Sequence, residues 1–149
     1  MKNIKEKVSL NLYTKLLGFL TKKGNKLKSK VIIDTVFLNL SKLTKRSTSF
    51  LLYLLFQRLN IFVESKIIRI KRRTHIVPFS VSLKRRSYLV AKWIVLALVE
   101  NNKKVSVVEK IQEEIVEILK GSNLSKALKL RLNNNKQALA NRANMHYRW

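Results

Sequence analysis

The sequence lacks cysteine, contains only 3 glycines and 1 proline, and has 8 acidic residues against 32 lysines and arginines. The absence of cysteine excludes disulfides and thiolate metal sites. Three glycines are too few for a glycine-rich phosphate loop. A net charge of +24 makes a compact monomer repel itself, so we expect a polyanionic partner. Nucleic acid and an anionic membrane surface are the two candidates.

Few residues could support catalysis or hold a cofactor. The histidines, His75 and His146, lie far apart in the sequence, and neither has zinc-ligand spacing. Glu113 and Glu114 are adjacent, and adjacent residues of a helix point in different directions. A general acid–base pair needs two convergent groups. The sequence therefore predicts a binding protein that is not an enzyme and uses no metal or cofactor.

Helical periodicity dominates both ends of the chain. Apolar residues make up 46% of the sequence, which is enough for a core in one domain over residues 1–149. Six helices are predicted. The first three are a short helix with Leu12, Leu16, Leu17 and Leu20, a buried helix over Val31–Leu43, and a helix over Phe50–Leu59 capped by Ser47 or Ser49. The last three are a helix over Lys84–Glu100, a helix over Ser106–Lys120 that Gly121 ends, and a helix from Leu124 toward His146.

The segment between the third and fourth helices alternates with period two and predicts an antiparallel hairpin. Its strands are expected over Val63–Ile70 and Thr74–Leu83, with a turn near Lys71–Arg73. Pro78 has no N–H and therefore belongs on an edge or a bulge. Because an isolated hairpin is marginal in water, this one should lean on helices or on a ligand. The predicted fold class is mainly α with one two-stranded hairpin.

Two basic features indicate a nucleic-acid partner. Lys84, Tyr88 and Lys92 recur every fourth residue with Arg85 beside them, a stripe suited to phosphate contacts and base stacking. A solvated helix face with Tyr88 half-buried explains the stripe equally well. The three consecutive cations at 71–73 exceed what protection of a strand edge requires, which favours RNA or DNA contact.

Two other classes of protein share part of this pattern. A DNA-binding nucleoid-type protein would also carry the charge and the basic hairpin. A membrane-surface protein held by basic amphipathic helices would leave a large apolar face unburied, whereas these apolar faces are numerous enough to cover one another. The apolar run over residues 50–63 is shorter than the roughly 20 residues of a bilayer span, so no membrane insertion is expected.

The chain ends in ANRANMHYRW, residues 140–149, and this ending resembles the small-subunit ribosomal protein seven family of the bacterial and organellar type. The likeness covers about residues 10–149. It includes the hairpin from Val63 to Pro78, the Arg85-Arg86 and Trp93-Ile94 pairs, and the loop around Lys22–Lys26.

The sequence departs from the family pattern at three places. Lys71-Arg72 replaces a glycine pair at the hairpin turn, so the turn conformation should differ. Leu132–Asn135 replaces an acidic, histidine-containing stretch, which affects the cap and packing of the last helix. The long basic N-terminal arm of bacterial members is nearly absent, so its contacts do not carry over.

The resemblance implies a bundle of about six helices with a protruding hairpin whose faces are both covered by RNA, and Pro78 is expected where the second strand leaves the ladder. It implies binding to the 3′ major domain of small-subunit rRNA, nucleation of head assembly, and a position near exit-site tRNA, mRNA and the small-subunit proteins nine, eleven and thirteen. The residues expected at rRNA are Lys22, Lys23, Lys26, Lys28, Lys66, Arg69, Lys71, Arg72, Arg73, His75, Lys84, Arg85, Arg86, Tyr88 and Lys92; those expected on the tRNA and mRNA side are Arg142, His146, Tyr147, Arg148 and Trp149.

Composition also suggests where the protein works. Lysine outnumbers arginine, asparagine and isoleucine are abundant, and glycine and proline are scarce, as A+T-rich coding produces. No signal peptide or targeting segment is visible, and the first arginine is Arg46. These features indicate a mitochondrially encoded protein, with a plastid or an A+T-rich bacterium as the alternatives.

Overall fold

A computed structural model describes residues 2–99 and 105–148, with the side chains of residues 2–4 left out. Glu100, expected to end the fourth helix, and Trp149 lie outside the described residues. The predicted mainly α fold with one antiparallel hairpin is confirmed. The elements in chain order are α1 (Lys2–Leu20), α2 (Lys26–Thr44), α3 (Thr48–Leu59), β1 (Val63–Ile70), β2 (Arg73–Ser80), α4 (Leu83–Val99), α5 (Val107–Lys120), α6 (Lys126–Ala140) and a 3₁₀ helix, η1 (Arg142–Tyr147).

The core is formed by the apolar faces of the helices. Leu12 of α1, Val36 of α2, Leu55 of α3 and Ile115 of α5 have almost no solvent exposure. Burial of one such side chain contributes about 1.5–3 kcal/mol. From α6, Ala127 lies in this core and Leu128 and Leu130 pack against it, while Asn134 of the same helix contacts the hairpin.

The first two helices differ from their predictions. α1 is not short, because Val8 extends the buried stripe one turn ahead of Leu12. α2 is not buried on all sides: Val31, Leu38 and Leu43 are 62%, 52% and 76% exposed. An apolar run predicts burial, but only the face of α2 that meets the other helices is covered.

The helix ends follow local signals in α5 but not in α3. Ser106 caps α5 by accepting a 3.2 Å hydrogen bond from the Glu109 N–H, and Gly121 ends it with φ of 75°. Ser47 stands at the N-cap position of α3 without capping it. Its hydroxyl lies 3.5 Å from that of Ser49 instead.

Glu114 of α5 is buried and joins α5 to α6. Its Oε1 accepts hydrogen bonds from the Ser125 hydroxyl at 2.7 Å and from the Ala127 N–H at 3.0 Å. A carboxylate at a helix N-terminus also interacts favourably with the helix dipole. One of the acids of the fifth helix therefore has a purely structural role.

The hairpin pairs Val63 with Ser80 at its base and Ile70 with Arg73 at its tip. Its second strand begins one residue earlier than predicted and ends at Ser80, because α4 begins at Leu83. The two-residue loop has Lys71 at φ of 54°. This left-handed conformation costs a non-glycine residue about 1–2 kcal/mol.

Pro78 does not mark the end of the ladder, as was expected. It pairs with Ser65, and the ladder continues to Ser80. The N–H of Ser65 faces away from β2 and donates to Asn134 Oδ1 at 3.3 Å. In an antiparallel pair, two residues that face each other both point their nitrogens either toward or away from the partner strand. The nitrogen of Pro78, opposite Ser65, therefore also points away from β1. The edge position predicted for Pro78 is therefore confirmed, and no ladder hydrogen bond is lost.

The C-terminal segment supports both outer edges of the hairpin. Asn134 of α6 accepts from the Ser65 N–H on β1 and donates through Nδ2 to the Val63 carbonyl at 2.8 Å. On β2, Asn144 Nδ2 donates to the Ile76 carbonyl at 3.0 Å, and Arg148 Nε donates to the Pro78 carbonyl at 2.6 Å. The expectation that the hairpin leans on helices is confirmed.

We predict that Asn134→Ala lowers the free energy of unfolding by about 1–3 kcal/mol, because it leaves backbone groups of β1 without their partner. Urea denaturation followed by circular dichroism measures the change. Asn133→Ala is the matched control, since Asn133 is exposed and its side chain has no hydrogen bond among those described. Equal destabilisation by both exchanges would contradict the role given to Asn134.

Candidate nucleic-acid interface

The predicted cations lie at three places on the described surface: around the loop between α1 and α2, on the hairpin, and on α4 from Lys84 to Lys92. Twelve of them are exposed, and among these only Arg85 is paired with a carboxylate of the described residues. The exposed ones are Lys22, Lys23, Lys26, Lys28, Lys66, Arg69, Lys71, Arg72, Arg73, Lys84, Arg85 and Lys92.

Two of these groups stand where a helix itself disfavours positive charge. α2 begins with Lys26 and Lys28, and α4 has Lys84 and Arg85 in its first turn, with no acid in the first turn of either helix. A cation near a helix N-terminus is disfavoured by roughly 0.3–1 kcal/mol at low salt. A phosphate there would be attracted by the cations and by the positive end of the helix dipole. Both helix starts thus favour an external anion.

An open depression of about 440 Å³ lies between α1 and the start of α4. Asn11, Thr14 and Lys15 form the α1 side of this depression and were not predicted from the sequence. Their spacing of i, i+3 and i+4 places them on one helix face and was the signal available. Every residue that lines the depression carries a polar or cationic group, which offers hydrogen-bond partners to a phosphate or a ribose. The lining residues are Asn11, Thr14, Lys15, Ser82, Lys84, Arg85 and Tyr88.

Tyr88 is half-buried, in line with the second of the two alternatives for the fourth-helix stripe. Its ring centroid lies 5.0 Å from that of Phe19, and the guanidinium of Arg85 lies 4.6 Å from it. The stripe exists with Lys84 and Lys92 exposed. Its aromatic member, however, packs between α1 and α4, so a base could reach it only from the side.

Two predicted rRNA contacts are held by partners within the protein. Arg85 donates to both carboxylate oxygens of Glu64, at 2.7 Å and 3.1 Å. These hydrogen bonds lower the pKa of Glu64 and raise that of Arg85. Arg86 donates to the Val81 carbonyl at 2.9 Å and lies 4.4 Å from the ring of Phe62. Both arginines therefore tie α4 to the base of the hairpin.

The structure brings together residues that were predicted for separate surfaces. The ring of Tyr147 lies 4.6 Å from His75 of the hairpin and 4.0 Å from His146. Arg148 lies 5.9 Å from the ring of Phe79. From His75 to Phe79 the residues Tyr147 and Arg148 lie against β2 and take up part of its surface. RNA coverage of both hairpin faces stays a prediction for the rest of the hairpin. Arg142 is exposed on η1.

The comparison with known families decides the identity of this basic fold. The profile of the family described as "Ribosomal protein S7p/S5e" matches residues 2–142. The chain belongs to the ribosomal protein S7p/S5e family. This is a family of structural ribosomal proteins, so membership confirms that the chain is not an enzyme. Within the described residues, no helix is both long and apolar enough to cross a bilayer.

Relatives of the S7p/S5e type come from bacteria and from mitochondria. The chain is 31% identical to "Small ribosomal subunit protein uS7" of Wigglesworthia glossinidia brevipalpis over 93% of its length and 86% of the relative. It is 27% identical to uS7m of Drosophila melanogaster over 91% of its length and 67% of the relative. With uS7m of Reclinomonas americana the identity is 33%, over 58% of this chain and 54% of the relative.

The Glu64–Arg85 pair predicts a pH dependence of stability. Because the pKa of Glu64 is lowered in the folded chain, its contribution is present above the ordinary carboxyl pKa and is lost as pH falls through the folded value. Lowering the pH from about 7 to about 3 should therefore reduce the free energy of unfolding of both proteins. The reduction should be smaller in Glu64→Gln than in wild type by about 0.5–1 kcal/mol.

Urea titrations at the two pH values measure this difference. Glu6→Gln is the control, because it removes an exposed carboxylate outside the first turn of its helix and leaves the pair of Glu64 with Arg85 intact. An unchanged pH dependence in Glu64→Gln would show that the ion pair contributes nothing.

Proposed function

We propose that this chain is a structural component of the small ribosomal subunit that binds the 3′ major domain of the small-subunit rRNA and nucleates assembly of the head. The observation that carries the proposal is the placement of exposed cations at the hairpin tip and at the starts of α2 and α4, of which only Arg85 has a carboxylate partner among the described residues. Membership of the S7p/S5e family supports it.

The proposed mechanism is electrostatic. Cations of the α1–α2 loop, the hairpin and α4 neutralise phosphates that converge at an rRNA junction, and each contact releases condensed counterions. The polar depression beside Lys84 receives part of the RNA backbone. Recognition is of RNA shape and backbone more than of base sequence.

The surface formed by η1 and the hairpin has a second proposed role. The cluster of His75, His146 and Tyr147 offers aromatic rings beside Arg148, a combination suited to unstacked bases. We assign it to the exit-site tRNA and mRNA region. The small-subunit proteins nine, eleven and thirteen are the proposed protein neighbours.

The first test is binding to RNA at several salt concentrations. We expect the purified chain to prefer the 3′ major domain over an unrelated structured RNA and over duplex DNA of equal length by about a thousandfold, roughly 4 kcal/mol. Filter binding or fluorescence anisotropy measures the affinities. Equal, salt-labile binding to all three would contradict the proposal, and a preference for the duplex would support a nucleoid-type DNA-binding protein.

Variants at the hairpin tip test the mechanism. The double exchange Arg72→Gln with Arg73→Gln should reduce the slope of log affinity against log salt by about 1.4–1.8, if each cation meets one phosphate. Lys7→Gln with Lys42→Gln is the matched control, because it removes two exposed cations from other helices. The same loss of slope in the control would mean that the charge acts without regard to position.

We further propose that the protein is encoded and made inside mitochondria. Its A+T-driven composition and its similarity to uS7m proteins support this origin. Pulse labelling of isolated mitochondria should label the chain, and an inhibitor of bacterial-type ribosomes should abolish the label. Labelling that depends on cytosolic ribosomes, or synthesis in a plastid or a bacterium, would contradict it.

A further inference from the structure

The helices α1, α2 and α3 leave an open groove among them. It consists of two adjoining depressions of about 310 and 350 Å³, which share Tyr13, Thr48 and Leu52 as lining residues. Leu10 and Leu38 line it while 63% and 52% exposed. An apolar surface left open in this way is typical of a docking site.

The charge of this groove is opposite to that of the chain as a whole. Glu6 lines one depression and Asp34 the other, and no lysine or arginine is among the described residues that line either. The chain has only 8 acids against 32 cations. Two acids with apolar side chains between them are therefore a distinct feature of this surface.

Asp34 is held in place by a neighbour in the groove. The Tyr13 hydroxyl donates a 2.8 Å hydrogen bond to Asp34 Oδ1. Burial and this hydrogen bond raise the pKa of Tyr13 to about 12, so the phenol stays a donor at neutral pH. The carboxylate of Asp34 keeps further lone pairs for a cation that enters the groove.

We propose that this groove, formed by α1, α2 and α3 and bounded by Glu6 and Asp34, docks a basic segment of a neighbouring protein of the small subunit. The segment places apolar side chains over Leu10, Leu38 and Leu52 and a lysine or arginine near each carboxylate. RNA fits the groove poorly, because its phosphates would meet two carboxylates and no lysine or arginine among the described lining residues. This inference rests on the proposed function, since the partner belongs to the same particle.

A photo-cross-linking residue in place of Ser49 tests the proposal. Ser49 is exposed and lines the groove. The full chain with this residue is assembled into small subunits and irradiated, and the cross-linked product is identified by mass spectrometry. We expect a protein segment that contains lysine or arginine beside apolar residues. A cross-link to rRNA, to an acidic segment or to nothing would overturn the inference.

Two pairs of variants show whether the groove itself holds the segment. Glu6→Lys should lower the cross-link yield by about fivefold through charge repulsion, whereas Glu109→Lys should leave it unchanged. Leu10→Ser with Leu38→Ser should also lower the yield, and Leu27→Ser with Leu43→Ser, which alters two exposed leucines that do not line the groove, should not. Equal effects within either pair would overturn the inference.

Sedimentation of the chain separates the two hypotheses. If the chain does not enter small subunits, the proposed function fails and this inference falls with it. If the chain enters them but the groove gives none of the expected cross-links, only the docking proposal fails.

Discussion

The hydrogen bonds from the C-terminal segment to the edges of the hairpin are the constraint on which the rest of the surface depends. Two strands alone are marginal in water, and both of their outer edges carry unpaired backbone groups. Asn134 occupies one edge, and Asn144 and Arg148 occupy the other. This arrangement orients a highly cationic ribbon without any help from a larger sheet. It also places Tyr147 against His75, so that the hairpin and the chain end form one surface.

Three of the acids make contacts between elements of the protein. Glu64 holds Arg85 at the base of the hairpin, Glu114 caps α6, and Asp34 accepts from Tyr13. Each of these carboxylates fixes the relation between two elements. The cations of the loop, the hairpin tip and the start of α4 remain exposed, and some stand against the helix dipole. This division of charge is what a protein that folds around an external polyanion requires.

Features that depend on neighbouring residues are predictable from this sequence, and features that depend on distant contacts are not. The end of α5 at Gly121 and the strand Val63–Ile70 were predicted correctly, because each depends on neighbouring residues. The burial of α2 was not, because an apolar run does not reveal which of its faces meets other helices. Ser47 was a plausible cap by residue type, but its hydroxyl lies toward Ser49 instead.

The sequence by itself determined the charge, the order of helices and hairpin, the cationic tip and the likeness to a ribosomal family. Only the tertiary structure decided how these parts act on one another. Asn134 lies 69 positions from Ser65, so no local pattern predicts their contact. The same holds for Arg85, whose partner Glu64 is 21 positions away. Composition and periodicity are properties of neighbouring residues, whereas hydrogen-bond partners, grooves and the sharing of a surface arise from packing between distant segments.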